Sequence, residues 1–283
     1  MTGFMDVATV ARVSGLVVSA GLAISTLEFI ANIRECRSDG LFSWEIWRET
    51  KWRKHPRLKA TFNPLFAYPG VLIVLLVRMA LIALLMFQLS GGSRLDPIVM
   101  TALMASQLYV NFRYPAGKDG SDQMSTIVLV MLCMIAWFPA RPVIAIACVV
   151  FMAFQSGLSY LTAGVAKLIS PDWRSGDIIL GVIGTETYGS RFMAGLLRDH
   201  KFLRRGMNYS TIAFESLIVF ALLLPHPWNA WFLVIPLIFH VACAVMMGLN
   251  IFTFAFAATF PALLYVSNHL HKIVAMISSC GCG

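Results

Sequence analysis

Between Gln155 and Trp173, groups able to do chemistry recur at helical spacing along a stretch that is otherwise apolar. At about 100° per residue, Ser156, Tyr160, Ala163, Gly164 and Lys167 fall on one helical face. A hydroxyl, a phenol, a notch of small residues and an amine therefore line one side of a helix that begins in the apolar run Val143 to Phe154. An ionisable side chain in such a place is costly unless it faces protein or water, which makes Lys167 a functional candidate. Pro171 leaves Lys167 within about one turn of the helix end. A lysine snorkelling to the headgroups is thus an equally open reading.

Few other polar groups could converge on it. Glu215 and His240 are isolated in the apolar region from Asn208 to Ala262. A histidine there can relay a proton or hydrogen-bond a developing oxyanion, or it can be a satisfied structural residue. Arg78 stands mid-span, too deep to snorkel, and is expected to face the bundle interior and meet an acid or carbonyl groups. Residues 111–124 form a polar junction that carries Arg113, Asp119, Asp122 and Gln123. Ser121 or Asp122 reads as a helix N-cap, and the same acids with Gln123 could also serve a site. No metal-ligand spacing, Gly-rich phosphate loop, Gly-x-Ser-x-Gly elbow or His-Glu-x-x-His pattern occurs, so no metal is expected. Cys133, Cys148 and Cys243 sit in apolar runs as packing residues. Cys280 and Cys282 read as either a redox pair or part of a frayed tail.

The elements that must position these groups are membrane helices. The 283 residues are 58% hydrophobic and only 13% charged. A water-soluble fold of this size lacks the interior to hide that much apolar surface. The expected fold is an all-α, polytopic membrane bundle forming a single domain over residues 1–283. About eight spans are expected: 13–33, 68–89, a short one at 97–110, 125–138, 143–167, two around the Pro225-His226-Pro227 turn, and 252–266. No cleavable signal peptide is expected, since no basic region precedes the first span. The basic, Trp-bearing segment 34–62 suits helices in the headgroup region, and 170–206 suits one or two short surface helices. Residues 273–283 read as a disordered tail. The net charge of +8 follows from these loops rather than from nucleic-acid binding. With the N-terminus outside, the cytoplasmic loops hold sixteen basic residues and the opposite loops two, Arg94 and Arg141. The positive-inside rule favours that orientation in the cell membrane and puts Lys167 towards the cytoplasmic side.

The central stretch also carries a family resemblance. Tyr160, Ala163, Gly164, Val165, Lys167, Leu168, Asp172, Trp173 and Gly176 resemble a signature in the membrane domain of vitamin K-dependent gamma-carboxylase. The bacterial relatives of that domain form the HTTM (horizontally transferred transmembrane domain) family. His240 followed by Met247-Gly248-Leu249-x-Ile251-Phe252 is similar to a second carboxylase segment, at shorter spacing, and Glu215 stands about where the family has an acid. The likeness covers nearly the whole chain but only the membrane half of the carboxylase, whose large lumenal domain has no counterpart here. Where the carboxylase reads Asn-Asn-His at the start of a span, this chain reads Ser121-Asp122-Gln123, which argues against carboxylation of glutamate.

The resemblance implies a membrane enzyme in which Lys167 is the base that deprotonates a reduced quinone. A lysine in an apolar cavity loses its ion solvation, so the neutral amine becomes accessible for that role. His240, Glu215 and Asp122 would share the catalysis. Arg78, Arg113, Asp119, Gln123, Ser156, Tyr160, Gly164, Asp172 and Trp173 would bind substrate or cofactor. A quinone or hydroquinone, a small apolar substrate or an exported peptide would occupy the site. Membrane lipid and a soluble or membrane partner subunit are the expected partners. The alternative is a non-catalytic scaffold, immunity or peptide-export factor that keeps the fold alone. Secondary transport is the weaker reading, since no inverted repeat is visible.

Overall fold

The computed structural model describes residues 5–52, 56–114, 119–185, 189 and 191–280. Among them every regular element is helical. The chain runs α1 (Val7–Ala31), α2 (Trp44–Trp52), α3 (Pro56–Phe66), α4 (Gly70–Ser90), α5 (Pro97–Arg113), α6 (Gly120–Trp137) and α7 (Pro142–Ile169). It continues through α8 (Pro171–Ser175), α9 (Ile178–Ile183), α10 (Arg191–Asp199), α11 (Lys201–Leu217), α12 (Trp228–Met247), α13 (Asn250–Ala257) and α14 (Phe260–Cys280). A 3-10 segment, Ile218–Leu223, extends α11.

Seven stretches of the described chain are long and apolar enough to cross a membrane: α1, α4, α6, α7, α11 with its 3-10 extension, α12, and α13 with α14. This makes the protein an all-α polytopic bundle. The short span expected near residue 97 is α5, whose 17 residues reach about 25 Å and pack along α4 and α6. By contrast α7 has 28 residues, about 42 Å, against a hydrocarbon thickness of roughly 30 Å. Lys167 lies in the last turn of α7.

Helix starts fall earlier than the apolar runs imply, because capping residues set them. Asp6 accepts the Thr9 N–H and starts α1 at Val7 rather than near Val13. The Thr9 hydroxyl, and after it the Thr9 N–H, hold the Asp6 carboxyl below its ordinary value. The N-cap of α6 is Asp119, not Ser121 or Asp122. Its carboxylate accepts the Ser121 N–H, while the Asp122 carboxylate reaches back to the Asp119 N–H in a capping box. Asp119 wins because the helix begins at Gly120, a turn before the apolar run.

The loops are more helical than the sequence suggests. Among its described residues, segment 170–206 holds three short helices, and α11 already begins at Lys201, so Lys201, Arg204 and Arg205 fall in its first two turns. The backbone of α14 runs as helix to Cys280. Cys282, and with it the choice between a redox pair and a frayed tail, lies outside the described residues, as do 53–55 of the first basic loop and 115–118 of the polar junction.

The core is centred on α1, which packs on α4, α6, α7, α13 and α14. Gly21 permits this at one point: a Cβ there would sit 2.6 Å from Phe254 Cβ. Val18, Leu22, Leu85, Leu129, Met152 and Leu263 fill the interior between these helices.

Candidate functional site

Lys167 is brought against α11 by a close helix approach. At Gly164, one turn before the lysine, an added Cβ would lie 2.6 Å from the Ser216 backbone nitrogen and 2.9 Å from the Glu215 carbonyl carbon. Only glycine lets the two backbones meet there. The approach puts Lys167 Nζ 2.5 Å from Glu215 Oε2, as a hydrogen-bonded ion pair. The two side chains are 18% and 8% exposed. The amine also lies 5.1 Å from the centre of the Trp173 ring, within cation–π range. Trp173 is held in turn by Asn208 of α11, whose amide donates to the Trp173 carbonyl at 2.8 Å. The lysine is thus turned inward to an acid and an indole, where a snorkelling lysine would point outward.

Two turns up α7, the Tyr160 hydroxyl lies 2.6 Å from Nε2 of His240 on α12. Both residues are buried. The imidazole stacks on Phe256 (5.0 Å between ring centres, 20° between planes) and is flanked by Phe239 and Phe252 at 5.4 Å each. Gly248 makes this packing possible. It ends α12 with φ +71°, a left-handed conformation that favours glycine, and turns the chain so that α13 returns beside α12. Phe252 and Phe256, four residues apart on α13, then face the histidine. Thr253 donates its hydroxyl to the His240 carbonyl at 3.0 Å.

One cavity of about 320 Å³ joins these groups. Lys167, Tyr160 and Ala163 of α7, Glu215 of α11 and His240 of α12 line it, with Gln123 and Gly120 from the start of α6. Phe239, Phe252 and Phe256 form its aromatic wall. Nδ1 of His240 has no hydrogen-bond partner among the described residues. With the imidazole proton on Nε2, that buried Nδ1 is a bare acceptor rather than an orphaned N–H. The Tyr160 hydroxyl then accepts from His240 and keeps its own proton free for the cavity.

The remaining sequence candidates fall into two groups. Some support the site without lining it. Ser156 accepts a hydrogen bond from Thr259 at 2.8 Å and fastens α7 to the break between α13 and α14. Asp119 and Asp122 start α6 and so place Gln123. Asp172 is exposed beside Trp173 and does not line the cavity. Others stand elsewhere. Arg78 is buried as expected and donates to an amide carbonyl, Gln107 Oε1 at 2.6 Å, and to the hydroxyls of Thr26 at 3.0 Å and Ser106 at 3.2 Å, with the Asp122 carboxylate acting on it electrostatically. Arg113 is fully buried and donates to the carbonyls of Phe66 and Phe42 at 2.8 and 2.7 Å. It clamps the loop before α2 to the C-terminal end of α3 and does not line the cavity. Sequence reasoning misses the three phenylalanines. In a chain with 20 Phe, nothing local separates a wall of a site from a lipid-facing ring.

Among the described residues no group of histidine, cysteine or acidic side chains could hold a metal ion. No family model, curated protein or solved structure matches the chain.

Proposed function

We propose that the protein is a membrane enzyme that removes a proton from an acidic, flat aromatic substrate or cofactor, in keeping with the resemblance to the HTTM family. The observation that carries this reading is the meeting of the Lys167–Glu215 pair and the Tyr160–His240 pair on one small aromatic cavity. At about 320 Å³ the cavity is at the lower end of ligand pockets, roughly 300–1,000 Å³, which suits one small ring system. The aromatic wall, an amine, a phenol and an amide fit a quinol head. Phe239, Phe252 and Phe256 would hold it, and when bound it would supply an acidic hydroxyl and reducing equivalents.

Each residue then has a task. The base is Lys167 Nζ, which accepts a proton once its own has passed to Glu215 Oε2 over the 2.5 Å path between them. The charge that then appears on the amine is balanced by the anion formed on the substrate, because Glu215 holds the first proton and is neutral at that stage. The Tyr160 hydroxyl, oriented by His240, donates to an oxygen on which negative charge develops. Gln123 orients the substrate by hydrogen bonding, and the phenylalanines keep water away from the proton path.

The ion pair also joins α7 to α11, and that supports the second reading, a scaffold in which Lys167 is purely structural. Substitution separates the two. Lys167→Arg keeps the positive charge and the link to Glu215, yet guanidinium does not release its proton near neutral pH. A base therefore fails in Lys167→Arg and in Lys167→Met, whereas a structural cation survives the arginine change. The readout is rescue of the phenotype of a deletion strain, with membrane protein levels matched. Full rescue by Lys167→Arg would overturn the catalytic assignment and leave the scaffold.

A further inference from the structure

A second and larger cavity, of about 630 Å³, lies at the other end of the bundle. Its walls come from the first turns of α1, the turn between α4 and α5, and the turn between α6 and α7. They are mostly apolar, with Ala8, Ala11, Leu89, Leu95, Ile135 and Ile146 among them. Two arginines, Arg12 and Arg94, are its charged lining residues. Both are exposed, and neither has a hydrogen-bond or ion-pair partner among the described residues. Arg12 reaches over the α4–α5 turn that carries Arg94: its Nη1 is 4.0 Å from the position of a Cβ at Gly92. The neighbouring acids are engaged in helix starts, Asp6 with the Thr9 N–H and Asp96 with the Ile98 and Val99 N–H groups.

The cup is therefore an apolar hollow with two free guanidiniums, and it is continuous with the outer surface of the bundle. Ile146 in its wall is 42% exposed, and Ile98 and Val143, next in sequence to the lining residues Pro97 and Pro142, are 73% and 76% exposed. A soluble anion would use the guanidiniums and leave the hollow empty. A neutral lipid would fill the hollow and leave the charge unmatched. An anionic amphiphile uses both, since paired guanidiniums match phosphate oxygens in fork geometry.

We propose that this cup holds one anionic phospholipid from the leaflet opposite the basic loops. Its phosphate lies between Arg12 and Arg94, and its glycerol and upper acyl methylenes fill the hollow. The site is separate from the cavity at Lys167, so it stands or falls independently of the catalytic reading.

Native mass spectrometry of the full-length protein in detergent, titrated with phosphatidylglycerol or phosphatidylcholine, tests this. The wild type is expected to keep one phosphatidylglycerol preferentially and to melt at a higher temperature with it than with phosphatidylcholine. Equal retention and equal melting with the two lipids would overturn the proposal without any variant being needed. The double variant Arg12→Gln/Arg94→Gln loses charge-assisted bonds and should bind that phosphatidylglycerol about tenfold more weakly, or worse. Ala8→Trp fills the hollow, leaves both arginines in place, and should also lose the lipid. Unchanged retention in either variant would show that the lipid sits elsewhere, the basic loops included, and would likewise sink the assignment.

Discussion

Arg78 and Lys167 are both cations in an apolar bundle, and their surroundings give them opposite roles. Arg78 is 1% exposed, with its guanidinium shared among α1, through Thr26, and α5, through Ser106 and Gln107. The chain of bonds continues from Gln107 to Asn111 and on to Thr126 of α6. Arg78 therefore ties four helices together and has no free face for a ligand. Arg78→Lys keeps a charge but loses the fork, leaving two or three buried polar groups without a donor. It should destabilise the bundle by about 2–3 kcal/mol, seen as a lower melting temperature in detergent. If the cavity takes a quinol as proposed, the quinone affinity of the folded fraction should not change, and a selective loss of affinity at unchanged stability would return Arg78 to the site. Lys167, in contrast, has Glu215 and Trp173 as its partners among the described residues and lines the cavity, which is why the proposed base is Lys167 and not Arg78.

At the scale of elements, the site depends on how closely α7 and α11 approach. Gly164 sets that distance, because the atoms that would meet a Cβ include backbone, which cannot rotate away. Gly164→Ala should cost about 1–3 kcal/mol through forced separation of the helices. It should also weaken Lys167 function, because Glu215 moves with α11. Gly206, on the same α11, has open space where a Cβ would point, with no atom of a neighbouring element within 4 Å. There, Gly206→Ala should be neutral or stabilising by up to about 1 kcal/mol, since alanine is the better helix former. Thermal unfolding of the two variants side by side checks the contrast. Equal stability in both would mean that the close approach is absent.

For the whole molecule, the two cavities mark the two ends of the bundle. The Lys167 cavity takes residues from the start of α6 and the end of α7, and so lies at the end that carries the basic loops. The second cavity lies at the end with few charges. If the positive-inside rule holds, a cysteine at Ser93 is labelled by an impermeant reagent from outside, and one at Arg198 only after permeabilisation. Both positions are exposed. The measurement uses a background without the native cysteines, and the reverse pattern would invert the orientation and move the Lys167 cavity to the outside.

The membrane-bundle class was legible in the sequence because apolar runs of about 20 residues have no other stable home. The shared face of Tyr160, Ala163 and Lys167 was legible too, since helical geometry alone puts residues 160, 163 and 167 in line. What lies across from that face was not. Inside a bilayer, lipid is as apolar as the bundle core, so hydropathy does not tell an inward face from an outward one. That is why Arg78 and Arg113 could be grouped with the site, while Phe239, Phe252 and Phe256 could not be singled out. Pairings such as Lys167 with Glu215, 48 residues on, and Tyr160 with His240, 80 residues on, depend on helix packing at Gly164 and the chain reversal at Gly248. Those two glycines are visible in the sequence, but the backbones they admit are defined only by the folded chain.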